Sequence, residues 1–274
     1  MSGSLSGSVL AAPASAPGGT LLARYAPLVR FLRGLFWLLV VLAVAEGVIV
    51  LFNVRPYYVP RPSVVLSAIW ATPAPYVQGF LRTATEALMG YLSGAVFGIF
   101  MGVVFFRARV VRELIFPIFI VSQTIPVIAF GALVVLWFGN TLLAKAAIAF
   151  YLTFFPVTVN TLVGLEAVDP RQEALMRSFG ASRFKILTQL QLPAALPQIF
   201  VALRLASALA LVGAIVGEWF GDTVGLGVLL LQGMYNENVV AIWAAIAVCA
   251  LLGTGFYAVV SLVERWLVFW GAEQ

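Results

Sequence analysis

Apolar residues along the chain gather into six long runs, at about 35–52, 84–106, 114–138, 143–164, 198–220 and 240–263. A helix needs roughly 20 apolar residues, about 30 Å at 1.5 Å per residue, to cross a bilayer. The pattern therefore predicts an all-α integral membrane protein with six transmembrane helices. The first run, Leu35 to Phe52, is interrupted only by Glu46, and it gives way to a stiff connector through Arg55-Pro56 and Pro60-Arg61-Pro62. The second carries Gly90, Gly94, Gly98 and Gly102, a glycine every four residues along one helical face. Small residues at this spacing let helix backbones approach closely in lipid. Gly139-Asn140-Thr141 separates the third and fourth runs, which predicts a tight antiparallel pair.

Composition agrees with this and excludes other classes. The 274 residues are 62% hydrophobic and 10% charged, whereas a soluble chain is nearer half apolar and a quarter charged. That balance excludes a soluble enzyme, a disordered protein and a nucleic-acid binder with a mostly charged surface. Cys249 is the single cysteine, so neither a disulfide framework nor a thiolate metal site is available. There is no histidine, the commonest general base and metal ligand. No catalytic or metal-binding residue is expected.

Charge sets the expected direction. Residues 1–23 are rich in Ser, Gly, Ala and Pro and carry no charge, and Arg24, Arg30 and Arg33 follow directly before the first apolar run. A secretory signal has the opposite order. The expectation is a disordered cytoplasmic tail over 1–30 and a membrane domain over 31–274. With the N-terminus inside, the inner segments hold Arg24, Arg30, Arg33, Arg107, Arg109, Arg112, Arg171, Arg177, Arg183, Lys185 and Arg265. The outer side keeps Arg55 and Arg61, with Arg82 and Lys145 near the ends of spans. Eleven against four predicts both termini in the cytoplasm. The last outer loop, with Glu218, Asp222 and Glu237, carries no basic residue.

Residues 165–197 form a long loop on the predicted cytoplasmic side. Asp169-Pro170 reads as a helix cap followed by proline at the first helical position, with Gln172 placed for a capping box. Ala174, Leu175 and Met176 favour helix, and Gly180 suits its C-terminal end. Ser182 is placed to cap a second short helix with Phe184, Ile186, Leu187 and Leu190 apolar and Arg183, Lys185 and Gln189 polar; Leu192-Pro193 is expected to stop it. On physics alone two readings stay open: an interfacial amphipathic loop on anionic headgroups, or a docking element.

The loop resembles the EAA loop of permease subunits of binding-protein-dependent ABC importers. The matching residues are Glu173-Ala174, Gly180-Ala181-Ser182-Arg183 and Leu190-x-Leu192-Pro193. Two positions depart: Ala174 stands at the usual acidic position with Glu173 one residue early, and Leu190 stands where Ile is common. The resemblance covers about 60–265, with a core at 80–265, and includes Pro62-Ser63, Trp137-Phe138-Gly139 and Asn160-Thr161-Leu162. It is closest to the branch importing nitrate, alkanesulfonates, taurine and thiamine-precursor pyrimidines. It implies a type I permease fold in the cytoplasmic (inner) membrane. It further implies a second copy of the permease, two copies of a cytoplasmic ATP-binding subunit that hold ATP and Mg, and an extracytoplasmic substrate-binding protein. The loop would be the coupling helix, with Glu173, Ala174, Arg177, Gly180, Ala181, Ser182, Arg183, Leu192 and Pro193 as its contact residues. This chain has no G-x-x-x-x-G-K-[ST] loop to cradle phosphate, so hydrolysis is expected in another polypeptide.

Polar groups within the spans are candidates for the translocation pathway. Gln123, Thr124 and Pro126 interrupt the third run, where proline frees a backbone carbonyl; a pathway role and a kinked helix satisfied by its neighbours both fit. Asn160 and Thr161 fit cross-helix hydrogen bonds better than substrate contact. Arg82 and Glu86 are placed to pair with each other. Glu218 and Trp219 at the end of the fifth run, before Gly225-x-Gly227, offer a carboxylate and an aromatic plate that suit a flat heterocycle. A secondary transporter is the alternative in a different class, but no halves with matching interruptions are visible. An intramembrane enzyme lacks a paired nucleophile and base.

Overall fold

The computed structural model describes residues 21–268; of the expected tail over 1–30, residues 1–20 lie outside the described residues and 21–30 fall within the first helix. Helix α1 (Leu21–Leu51) belongs to a unit ending at Asn53, and the residues from Val54 onward form a second unit. That second unit contains α2 (Pro62–Ala71), α3 (Pro73–Arg107), α4 (Arg109–Ser122), α5 (Val127–Phe138), α6 (Leu142–Glu166), α7 (Pro170–Ser178), α8 (Arg183–Ile186), α9 (Leu192–Glu218), α10 (Leu226–Tyr235) and α11 (Val239–Leu267). Among the described residues five helical segments are long and apolar enough to cross a membrane, and the bent pair α4–α5 has the length for a sixth only when its two helices are taken together.

The centre of the second unit is α6, packed between α3 and α9. The glycines of α3 make this possible. A Cβ at Gly94 would stand 2.7 Å from the Thr153 Cβ, and one at Gly98 would stand 2.7 Å from the Phe154 carbonyl oxygen. Ala149 of α6 lies against both Gly90 of α3 and Gly213 of α9. Lipid supplies no hydrophobic drive between helices, so close backbone contact of this kind holds the bundle together. Ala87, Ala149, Val157, Ala206, Ala210 and Ala214 form the buried seam.

Three elements differ from the pattern-based expectation. The third run is not one continuous helix: α4 and α5 meet at 98°, with Gln123–Pro126 between them. Proline has no N–H and clashes with the preceding turn, so the helix ends before it. Leu192-Pro193 does not stop the second loop helix. A π turn over Leu187–Gln191 joins α8 to α9, and the Leu192 N–H donates to the Leu187 carbonyl. Widening the turn by one residue lets the axis continue past a proline that cannot donate. Finally, α10 is a short apolar helix between the last two spans, within the stretch expected to be an outer loop.

Candidate functional site

The loop at one end of the bundle is built from local rules. Asp169 caps α7, its carboxylate accepting from the Arg171 N–H at 2.8 Å. The helix ends in a Schellman motif: the Ala181 N–H donates to the Met176 carbonyl at 3.0 Å and the Gly180 N–H to the Arg177 carbonyl at 2.9 Å. Gly180 sits at φ +76°, the left-handed region that favours glycine. Ser182 then caps α8, accepting from the Lys185 N–H at 3.3 Å.

Three ties hold this hairpin to the bundle. Glu173 pairs with Arg177 at 2.5 Å, and its second oxygen accepts from Gln191 Nε2 at 3.4 Å. Arg107, at the end of α3, donates to the Arg183 carbonyl at 2.6 Å. Ile186 is buried. Ala174 and Ser182 are exposed, Ala181, Leu192 and Pro193 half-buried. Leu175, Phe179 and Phe184 are 59%, 82% and 73% exposed. A fixed hairpin thus presents large apolar side chains beside basic ones.

The break at Gln123–Pro126 has its own support. Pro126 cannot donate to the Ser122 carbonyl, and the Ile125 N–H at 3.2 Å and the Tyr151 hydroxyl of α6 donate there instead. The Ile125 carbonyl lies 3.2 Å from the same hydroxyl. The Tyr151 ring is buried and stacks on Phe130 of α5, centroids 4.1 Å apart. Thr124 donates to the Val121 carbonyl at 2.8 Å, and the Gln123 amide to Ser122 Oγ at 3.3 Å. Asn160 lies elsewhere, accepting from Gln198 Nε2 of α9 at 2.8 Å. Thr161 packs against Gly102 instead, its buried hydroxyl making no hydrogen bond.

At the end opposite the loop, a buried charge cluster occupies the place where the sequence suggested a pathway carboxylate. Glu218 is 1% exposed. Its Oε1 accepts from the Thr83 hydroxyl and its Oε2 from the Gly227 N–H, both at 2.5 Å. Thr83 in turn accepts from the Leu226 N–H at 2.9 Å. The carboxylate therefore caps α10, whose dipole favours negative charge there. Gly225 and Gly227 are glycine because a Cβ at either would overlap Glu218. Trp219, by contrast, is 38% exposed. Glu86 pairs with Arg82 at 2.8 Å. Lys145, fully buried, bonds Asn140 and pairs with Asp222 at 2.9 Å, and Asn140 donates to the Gly221 carbonyl. Sequence reading missed Lys145 as a buried ion; the one available signal was its position four residues after the cap Thr141, inside the apolar run.

Burial pushes the Asp222 carboxyl up, but the hydrogen bond and charge of Lys145, the Thr223 N–H and Arg82 outweigh it and hold the group below its ordinary value. A carboxyl depressed by folding stabilises above its unfolded pKa and loses that contribution as pH falls through the folded one. Lys145→Met is expected to remove the depression, so the carboxyl no longer adds stability above its unfolded pKa and the deficit against the wild type narrows as pH falls. It leaves a buried carboxylate short of a partner, which costs about 3–5 kcal/mol. Thermal unfolding in detergent across a pH series checks both effects.

The architecture and the comparisons converge. Residues 94–269 match the family described as binding-protein-dependent transport system inner membrane component. This chain belongs to that family. The permease is 34% identical over 221 residues to the formylaminopyrimidine transport permease protein ThiX of Halalkalibacterium halodurans, covering 80% of this chain and 88% of that one. It is 30% identical to the riboflavin transport system permease protein RibX of Chloroflexus aurantiacus, covering 91% and 97%. It is 27% identical to the taurine transport system permease protein TauC of Escherichia coli, covering 86% and 88%. A chain of the inward-facing MetNI methionine ABC transporter shares the fold, with TM-score 0.63 at 17% identity, covering 72% of this permease and 98% of that chain. The protein is a multi-pass permease subunit of an ABC importer, of a family that works with a separate ATPase and a substrate-binding protein.

Proposed function

We propose that this permease forms the pathway for a small organic solute, a thiamine-precursor pyrimidine or similar heterocycle, and that a separate ATP-binding subunit drives it through residues 165–197. Two copies of the permease would pair, each taking one ATP-binding subunit, with both termini and the loop in the cytoplasm. ATP and Mg would be held by the partner. The carrying observation is the anchored α7–α8 hairpin with Leu175, Phe179 and Phe184 exposed. Clustered apolar groups on a helical loop mark a contact surface. The solute reading is supported by relatives whose names specify formylaminopyrimidine and riboflavin, both planar heterocycles. Glu218 lends it no support, because its carboxylate is engaged by Thr83 and Gly227.

Reconstitution tests the reading. With its ATP-binding subunit and binding protein, the permease should import formylaminopyrimidine and stimulate ATP hydrolysis; with a binding protein that captures only taurine, the sulfonate alternative would take its place. Direction is tested separately. A cysteine at Ser178 should react with an impermeant reagent only from the cytoplasm, and one at Thr223 only from outside. Outside labelling at Ser178 would remove both the orientation and the docking role.

A further inference from the structure

Hydrocarbon satisfies no backbone N–H or C=O, so non-helical backbone at membrane depth persists only where protein buries it or water reaches it. Thr124, Ile125 and Pro126 in the α4–α5 break are exposed. That surface must meet an aqueous pathway or another chain. Its chemistry favours water and a solute. The hydroxyl of Thr124 and the amide of Gln123 bond only to their own turn, leaving acceptor and donor capacity at the surface.

The whole segment is also uncharged. From Leu114 to Ala144 there is no Asp, Glu, Lys or Arg. Of the ions that flank it, Glu113 pairs with Arg109 and Lys145 is buried and held by Asn140 and Asp222. An anionic or zwitterionic solute would meet no counter-charge here, whereas an uncharged one meets amide, hydroxyl and carbonyl groups. Tyr151 ties the break to α6: its hydroxyl joins the Ile125 N–H on the Ser122 carbonyl, and its ring rests on Phe130.

We propose that the 123–126 break is the part of the pathway that touches the solute, that it favours an uncharged solute with hydrogen-bonding edges, and that Tyr151 is the positioning residue that holds it. This rests on the permease importing a heterocycle. The test uses the assembled importer in proteoliposomes with Cys249→Ala as background. Thr124→Cys should react with a charged, impermeant methanethiosulfonate, and formylaminopyrimidine loaded on the binding protein should slow that reaction during turnover. Gln123→Glu should cut import of formylaminopyrimidine by about tenfold. Tyr151→Phe should lower transport kcat per assembled complex by about tenfold, the worth of one buried hydrogen bond. KM should hold, since capture by the binding protein precedes the pathway, and the Thr124→Cys reaction rate should change in the same background. A Thr124→Cys that stays unmodified throughout turnover would overturn the proposal, because another chain then covers the break. Reaction without protection by solute, or wild-type import by Gln123→Glu, would overturn the contact. If the unmodified importer moves no formylaminopyrimidine, the heterocycle reading fails by itself; modification of Thr124→Cys under ATP still supports a water-lined break, and its absence still overturns it.

Discussion

Gly180→Val is expected to abolish most solute import and most substrate-stimulated ATP hydrolysis while leaving the amount of membrane-inserted protein unchanged. Gly180 stands at φ +76°, and a Cβ there meets no atom within 4 Å. The penalty is therefore backbone strain alone, about 1–2 kcal/mol and larger for a β-branched side chain. The bundle does not feel that strain, because Gly180 lies outside the α3–α6–α9 packing. The hairpin does. Relief of the strain breaks the Ala181-to-Met176 and Gly180-to-Arg177 hydrogen bonds and re-aims α8. Phe179 and Phe184 then no longer present one surface. Asn tolerates the left-handed region, so Gly180→Asn should keep most activity. Import at the wild-type rate by Gly180→Val would mean that the hairpin's shape does not transmit motion.

Gly98→Val is expected to act on the fold itself. Its Cβ would lie 2.7 Å from the Phe154 carbonyl oxygen and 2.8 Å from the Val157 Cβ. A helix backbone cannot yield at one atom, so α3 and α6 must separate along their length. Overpacking costs about 1–3 kcal/mol even in adaptable cores, and here the neighbours at Gly94 and Gly102 are equally close to α6. The variant should lose most detergent-stable protein. Gly255→Val in α11, where a Cβ meets nothing within 4 Å, should accumulate normally. Fluorescence-detected size exclusion of both variants separates loss of packing from a general intolerance of valine.

The parts of this architecture visible in the sequence are those fixed by short-range rules. Hydrophobic period and length mark the spans, and the i, i+4 glycines mark the α3 face that meets α6. Asp169, Gly180 and Ser182 announce the loop hairpin because caps and positive φ demand particular residue types. What stayed hidden depends on partners distant in sequence. The turn before Pro126 could end as a kink or as the 98° break, and its tie to α6 runs through Tyr151, 25 residues on, whose hydroxyl donates to the Ser122 carbonyl. Likewise, Glu218 reads as a pathway carboxylate until Thr83 and the α10 N-terminus are brought to it. Lys145 reads as an outer charge until Asn140 and Asp222 close over it. The run through Leu192-Pro193 needed a π turn, which leaves no mark in hydrophobic periodicity.

The claim that residues 165–197 carry the drive from a separate ATPase is tested most directly by photocrosslinking from the loop in native membranes. A photoreactive amino acid placed at Phe179, 82% exposed on the hairpin, should yield a covalent adduct with the ATP-binding subunit. The same probe at Trp219, at the other end of the bundle, should yield none. An amphipathic loop lying on the bilayer would instead give lipid adducts at Phe179. Lipid adducts alone, with the ATP-binding subunit present and unlabelled, would contradict the account.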